Sequence, residues 1–105
     1  MTSARQIKVT MLFPILDNDG NPFQEVTWNW WRDALQRVLQ GSYNEPGTTL
    51  GHWEGYTDLC RWIVSVIERG RLDEIRSFLA EALSRFRQES MYLDYHAVTI
   101  EMIAR

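Results

Sequence analysis

The sequence predicts an α+β fold in which two helices alternate with four strands, and three observations support this class. Residues 6–13, QIKVTMLF, alternate between apolar and polar side chains, which is typical of a half-buried strand. Residues 59–68, LCRWIVSVIE, form the strongest strand segment of the chain. Two other segments, about 27–40 and 71–87, carry apolar residues at the spacing of an amphipathic helix.

The first half of the chain gives one strand and one helix. Pro14 is expected to end the regular pairing of the first strand, because proline has no N–H to donate. A helix then begins at about Thr27, a suitable N-cap, and ends at Gln40, with Gly41 as its stop. Its apolar stripe consists of Trp28, Trp31, Leu35, Val38 and Leu39.

The second half gives three strands and one helix. Residues 41–56 begin as a Gly- and Pro-rich loop, and TTLGHWEGY, residues 48–56, predicts a short, irregular edge strand. After the strand at 59–68, Gly70 marks a break before the second helix, whose stripe consists of Leu72, Ile75, Leu79, Ala82, Leu83 and Phe86. The segment SMYLDYHAVTIEMI, residues 90–103, predicts a long last strand that could bulge near His96.

The resulting order is β-α-β-β-α-β. This is the ferredoxin-like plan, a two-layer sandwich with two helices on one face of a four-stranded antiparallel sheet. We expect the strands to lie in the spatial order fourth, first, third, second. No linker, repeat or low-complexity segment divides the chain, so residues 1–105 are predicted to form a single domain.

Composition and charge narrow the function classes. The formal charge of −3 argues against a nucleic-acid partner, and the clustered arginines of the second helix alternate with carboxylates, as on a solvated helix face. The single cysteine, Cys60, excludes an intramolecular disulfide and is expected to be a small core residue. With no signal peptide and no apolar run long enough to span a membrane, the expected location is cytoplasmic, with no membrane partner. No cofactor motif is present, so no cofactor is expected.

The segment LDNDGNPFQE, residues 16–25, resembles the start of a calcium-binding loop. If Gly20 takes the sixth position of such a loop, Asp17 and Asp19 take the third and fifth. However, Ile15 and Val26 then take the first and twelfth, where neither side chain can bind a cation. The segment is therefore predicted to be a turn without a metal.

Two histidines lie close to carboxylates in the predicted edge strands. His52 shares a strand face with Glu54, as Asp94 does with His96, and a carboxylate beside an imidazole can support acid–base chemistry or bind a metal. The second and fourth strands are expected at opposite edges, separated by roughly 14 Å at three strand spacings. Only a dimer joined edge to edge could bring the two pairs together. Exposed polar residues are the favoured interpretation.

Two of the five tryptophans do not fit the predicted core. Trp30 lies off the helix stripe and Trp53 lies in the irregular second strand. Partly exposed aromatic side chains are typical of interfaces and ligand pockets, so both are candidate binding residues. Peripheral packing is an equally good interpretation.

The strand at 59–68 is apolar on both sides. Either the set that contains Trp62, Val64 and Val66 or the set that contains Ile63 and Ile67 packs on the helices, and the other set is left uncovered. An uncovered apolar sheet face usually marks an interface. We therefore expect a homodimer through the open sheet face, with Ile63 and Ile67 as candidate interface residues.

Several short motifs resemble small bacterial proteins of uncharacterised function with a ferredoxin-like fold. They are VTWNWW after the first strand, GTTLGHWEG, RWIVSV and FRQESMYL, together covering about two thirds of the chain. The matching positions are Gly51, Trp53, Phe86, Gln88 and Glu89. The resemblance implies the fold and no activity.

The favoured functional hypothesis is a non-catalytic dimeric module that binds another protein or a small molecule. One alternative is a small dimeric enzyme that transfers protons in a cleft, using His52, Glu54, Tyr56, Asp94 or His96. Another is an accessory subunit that binds its partner through Trp30 and Trp53. One fold serves many functions, so the fold does not choose among them.

Overall fold

The chain folds into an antiparallel sheet and two helices. The computed structural model describes residues 5–105, except for the side chain of Trp53. In chain order the elements are β1 (Gln6–Pro14), α1 (Glu25–Val38), β2 (Asn44–Trp53), β3 (Tyr56–Glu68), α2 (Leu72–Arg85) and β4 (Tyr92–Ala97), with a short 3-10 turn at Arg69–Arg71. All strand pairs are antiparallel, in the order β2-β3-β1-β4. The predicted α+β class is confirmed, and the architecture is compatible with a ferredoxin-like fold.

The register between β1 and β3 decides which side of β3 faces the helices. Ile7 pairs with Ile67 and Met11 pairs with Ile63, so these four side chains lie on one face of the sheet. All four are buried in a core that contains residues of both helices. The two helices therefore cover this face.

Aromatic rings join the sheet to both helices. The ring of Phe13, on β1, meets that of Trp31 of α1 edge to face, with centroids 5.4 Å apart. Its centroid is 5.8 Å from that of Phe78 and 5.9 Å from that of Phe86. Since Phe13 is fully buried, it lies at the centre of the contacts that fix both helices on β1.

The side chain of Arg61 links the start of β2 to the first helix. The guanidinium of Arg61, on β3, lies 4.3 Å from the ring centroid of Trp31 and 4.8 Å from that of Trp28. Its Nε and Nη2 donate to the two carboxylate oxygens of Glu45 at 2.8 and 3.1 Å. This bidentate pair holds β2 where its register shifts, between Asn44 and Gly47.

The predicted helix boundaries were close but not correct. The helix α1 begins at Glu25, two residues before the expected N-cap Thr27, whose N–H instead donates to the carbonyl of Gln24 at 3.0 Å. Glu25 in the first turn complements the positive end of the helix dipole. The stop at Gly41 is confirmed, because its φ of 74° allows its N–H to donate to the carbonyl of Gln36.

The predicted strands β2 and β4 were wrong in length. The strand β2 begins at Asn44, inside the expected loop, because the register shift accommodates Pro46 and Gly47. The strand β4 ends at Ala97 rather than near residue 103, and no bulge interrupts it at His96, which pairs with Lys8 in regular register.

The early end of β4 has a simple cause. Its partner β1 begins at Gln6, whose carbonyl accepts the last hydrogen bond, from the N–H of Val98. Residues 98–105 therefore continue without helix or strand structure. We call this segment the C-terminal arm.

Candidate functional site on the uncovered sheet face

The sheet face opposite the helices is the main candidate site. Strand register places there Lys8, Thr10 and Leu12 of β1, Cys60, Trp62, Val64 and Val66 of β3, and Tyr92, Asp94 and His96 of β4. We call this set the uncovered face. Burial and register decide between the two alternatives for β3. Ile63 and Ile67 are 0% and 5% exposed beneath the helices and cannot form an open interface. Trp62, Val64 and Val66 point away from the helices.

Trp62 is the largest side chain on the uncovered face. It is 37% exposed and lies across from Leu12 on β1. Its partner on β2 is Gly47, which has no side chain and has open space where a Cβ would lie. On the β2 side no side chain of Gly47 shields the indole, so another surface can approach the ring closely from there.

The C-terminal arm borders one end of the uncovered face. Ile100 lines a groove of about 290 Å³ together with Val64, Val66 and Asn44. Val64 is 8% exposed, although it lies on the side away from the helices. Further along the arm, Met102 and Ile103 are 87% and 83% exposed, higher than the other exposed large hydrophobic side chains described.

The β4 side of the uncovered face is polar. The hydroxyl of Tyr92 donates a hydrogen bond to Asp94 Oδ2 at 2.6 Å. This hydrogen bond to the carboxylate favours the protonated phenol and raises the pKa of Tyr92. His96 follows on the same face, across from Lys8. A hydroxyl, a carboxylate and an imidazole thus lie along the β4 edge, with the ammonium group of Lys8 beside them on β1.

The predicted histidine–carboxylate constellation does not form within one subunit. As expected, β2 and β4 lie at opposite edges of the sheet. In addition, His52 pairs with Thr57, on the helix side of the sheet, and its Nδ1 lies 3.0 Å from Thr57 Oγ1. His96 lies on the uncovered face, so the two imidazoles are on opposite sides as well as opposite edges.

The remaining catalytic candidates lie at the tip of the β2–β3 hairpin. Glu54 has a φ of 45° and, with Gly55, forms a two-residue turn. Tyr56 follows it and is 74% exposed. The five candidates thus fall into two separate groups: His52, Glu54 and Tyr56 lie at the hairpin tip, and Asp94 and His96 lie on β4.

The candidate binding residue Trp30 packs between the two helices. Its ring stacks on that of Phe78 of α2, with centroids 5.7 Å apart, and the guanidinium of Arg85 lies 4.7 Å from the Trp30 ring. It lines an outer groove of about 430 Å³ between the helices. Trp30 is half-buried there, whereas the side chain of the other candidate, Trp53, lies outside the described residues.

Cys60 is buried, as predicted, although it lies on the uncovered face rather than under the helices. Burial, and to a smaller extent the nearby carboxylate of Asp58, disfavours the thiolate and raises the pKa of Cys60. This environment suits a packing residue rather than a nucleophile.

The acidic loop after β1 is a turn, as its sequence predicted. Asp17 Oδ1 accepts hydrogen bonds from the backbone N–H groups of Asp19 and Asn21, at 2.9 and 2.8 Å. Gly20 has a φ of 84°, and its N–H donates to the carbonyl of Asp17 at 3.0 Å. One Asp17 carboxylate oxygen is thus engaged in holding the loop closed.

Two further findings bear on the function classes. Among residues 5–105, no three His, Cys, Asp or Glu side chains come together as a group able to hold a metal ion. Within the same range, no helix has the length and apolar character needed to cross a bilayer.

Neither the protein-family models nor the curated proteins contain a match to this chain. The resemblance to small bacterial proteins therefore stays a prediction.

Sequence reasoning missed Leu12, Tyr92 and the C-terminal arm as parts of the site. Leu12 lies on the side of the alternating segment 6–13 that also carries Lys8 and Thr10, and no catalytic or metal-binding motif contains Tyr92. The signal for both was the pairing register, which places Leu12 opposite Trp62 on one side and Tyr92 on the other.

Proposed function

We propose that this chain is a ferredoxin-like binding module that works as a homodimer, with the uncovered faces of two subunits packed together. The fold assignment is supported by the strand order, which from the β4 edge reads fourth, first, third, second. It is also supported by the alternation of two helices with the strands.

The observation that carries the proposal is the exposure of Trp62 at the centre of a sheet face that neither helix covers. A tryptophan exposed beside Leu12 and Val64 on this face is costly to leave in water, because apolar area contributes about 25 cal/mol per Å² when buried. Two sheets that pack face to face lie about 10 Å apart, and the side chains of their inner faces fill the space between them.

A two-fold axis gives a self-complementary arrangement. Leu12 and Trp62 are direct neighbours on β1 and β3, the two central strands. If the axis runs parallel to these strands and between them, Trp62 of one subunit lies over Leu12 of the other, and the reverse contact forms by symmetry. A large side chain then faces a smaller one in both halves of the interface.

The binding role follows from the position of the polar edge. In this arrangement Tyr92, Asp94 and His96 lie at the margin of the apolar contact, where the space between two sheets opens to solvent. Convergent polar groups beside an apolar cleft are typical of small-molecule sites. The proposed ligand site is therefore shared between the subunits.

The first test is the solution mass, measured by light scattering over a dilution series. The expected result is a mass near twice 12.4 kDa that falls on dilution. Trp62→Lys should give the monomer mass, because it places a charge in the apolar contact. Val26→Lys is the matched control: Val26 is 64% exposed on the helix side, and its replacement should leave the mass unchanged.

Mixing two variants tests the arrangement itself. Trp62→Lys and Leu12→Asp should each be monomeric alone. Mixed, they should form a heterodimer, since the introduced ammonium and the introduced carboxylate can pair in one half of the interface while the native contact between Trp62 and Leu12 forms in the other. A wild-type protein that stays monomeric at millimolar concentration would refute the dimer, and a mixture that stays monomeric would refute this axis.

A further inference from the structure

The C-terminal arm has the sequence pattern of a strand but pairs with no strand among residues 5–105. Val98, Ile100 and Met102 alternate with Thr99 and Glu101, as in β4 before them. The ladder nevertheless stops at the hydrogen bond from Val98, because β1 begins at Gln6. Within the described residues, the arm therefore leaves the sheet without a partner strand.

The exposed end of the arm is apolar. Met102 is 87% exposed and Ile103 is 83% exposed, whereas Ile100, two residues before Met102, lines the groove beside Val64. The arm thus starts against its own uncovered face and then projects from the subunit with two large apolar side chains in water. Large apolar side chains exposed beside an apolar sheet face are a feature of surfaces that bind another chain.

The size of the uncovered face indicates what these side chains bind. The four strands contain 9, 10, 13 and 6 residues, which at about 3.4 Å per residue and about 4.8 Å between strands give a flat footprint of about 620 Å² per subunit. A stable protein–protein interface buries about 800 Å² per partner. The flat footprint of the sheet face is below that figure, so a further contact at its margin enlarges the interface of the proposed dimer.

We infer that the C-terminal arm of each subunit supplies this contact, by packing Met102 and Ile103 against the sheet of a second copy of the chain. The inference rests on the proposed homodimer and adds the segment that completes it. The arm already borders the uncovered face at Ile100, so residues 101–105 continue directly from one interface element to the other. Each arm closes the margin of the partner's apolar surface around Trp62.

The test compares two variants of the full chain. Met102→Ser/Ile103→Ser removes the apolar side chains, and Glu101→Ser, in the same arm, is the matched control. Sedimentation velocity over a dilution series gives the dimer dissociation constant of each protein, and thermal unfolding gives its stability. The double variant should raise the dissociation constant about a hundred-fold, or about tenfold for each of the two arms, which corresponds to about 1.4 kcal/mol per arm. The control should behave like the wild type.

The outcomes separate this inference from the homodimer. A wild-type dimer whose dissociation constant is unchanged in the double variant overturns the arm and leaves the sheet-face dimer standing. An unchanged dissociation constant with a lower melting temperature means that the arm packs on its own subunit, which also overturns the inference. A monomeric wild type overturns both. Because both variants change only exposed residues outside the helices and strands, misfolding is not expected to obscure the result.

Discussion

The assignment of the two sides of β3 can be tested with one alanine substitution on each side. Ile63 is 0% exposed beneath the helices, whereas Val66 is half-buried on the uncovered face. We expect Ile63→Ala to destabilise the monomer severely and Val66→Ala to destabilise it little. For association the order should be reversed.

The magnitudes follow from burial. Ile63→Ala removes three buried carbon groups, worth about 2.4 kcal/mol at about 0.8 kcal/mol each. The cavity left between β3 and the helices brings the total loss to about 3–4 kcal/mol. Val66→Ala removes two groups that are about half exposed, so the free energy of unfolding should fall by about 0.8 kcal/mol.

Urea denaturation measures both losses. With an m-value of about 2 kcal/mol/M, the midpoint should fall by about 1.5–2 M for Ile63→Ala and by about 0.4 M for Val66→Ala. The measurement is made at two protein concentrations, because a dimer makes the midpoint concentration-dependent. That dependence should persist in Ile63→Ala and shrink in Val66→Ala. Equal stability losses at the lower concentration would refute the assignment of the two faces.

Three further predictions concern the turns and the polar edge. Gly55→Ala should lower the melting temperature, with a loss of about 1 kcal/mol or more, because Gly55 has a φ of 89° in the hairpin turn. Asp17→Ala should cost about 1 kcal/mol, since two backbone N–H groups lose their acceptor, and added Ca²⁺ should leave the wild-type melting curve unchanged. Asp94→Asn should lower the raised pKa of Tyr92 in an ultraviolet titration, because the hydrogen bond to the carboxylate is lost. Since folding raises this pKa, the hydrogen bond stabilises the fold fully below about pH 10 and is lost as the pH rises through the raised value. A wild-type stability that stayed constant across that range would contradict the sign.

The sequence predicted the elements better than their ends. The alternation of β1 placed Ile7, Val9, Met11 and Phe13 in the core correctly, because its two sides differ in polarity. The length of β4 could not be predicted in the same way. Its alternating pattern continues to residue 103. However, a strand extends only as far as its neighbour offers backbone groups to pair with, and the neighbouring β1 begins at Gln6.

The candidate site was harder to predict than the fold, because it depends on register. The sequence indicated that one side of β3 would be uncovered and left open which side. The choice follows from the pairing of Ile63 with Met11, a contact between residues far apart in the chain. The assignment of Ile63 and Ile67 to an open interface, which the burial of both side chains contradicts, has the same origin, since both sides of the strand carry branched apolar residues.

The presence of apolar residues on both sides of β3 is itself informative about function. Strands with one face in water alternate between apolar and polar residues, as β1 does, whereas strands covered on both faces are continuously apolar. From Trp62 to Ile67, β3 is apolar at every position except Ser65, whose hydroxyl donates to the carbonyl of Ser42. Its composition is therefore that of a strand buried on both faces. The helices bury one face of β3, and Trp62 remains 37% exposed on the other face. The composition of β3 matches its surroundings only when a second surface lies over Trp62, and a copy of the same face, with its arm, is the surface we propose.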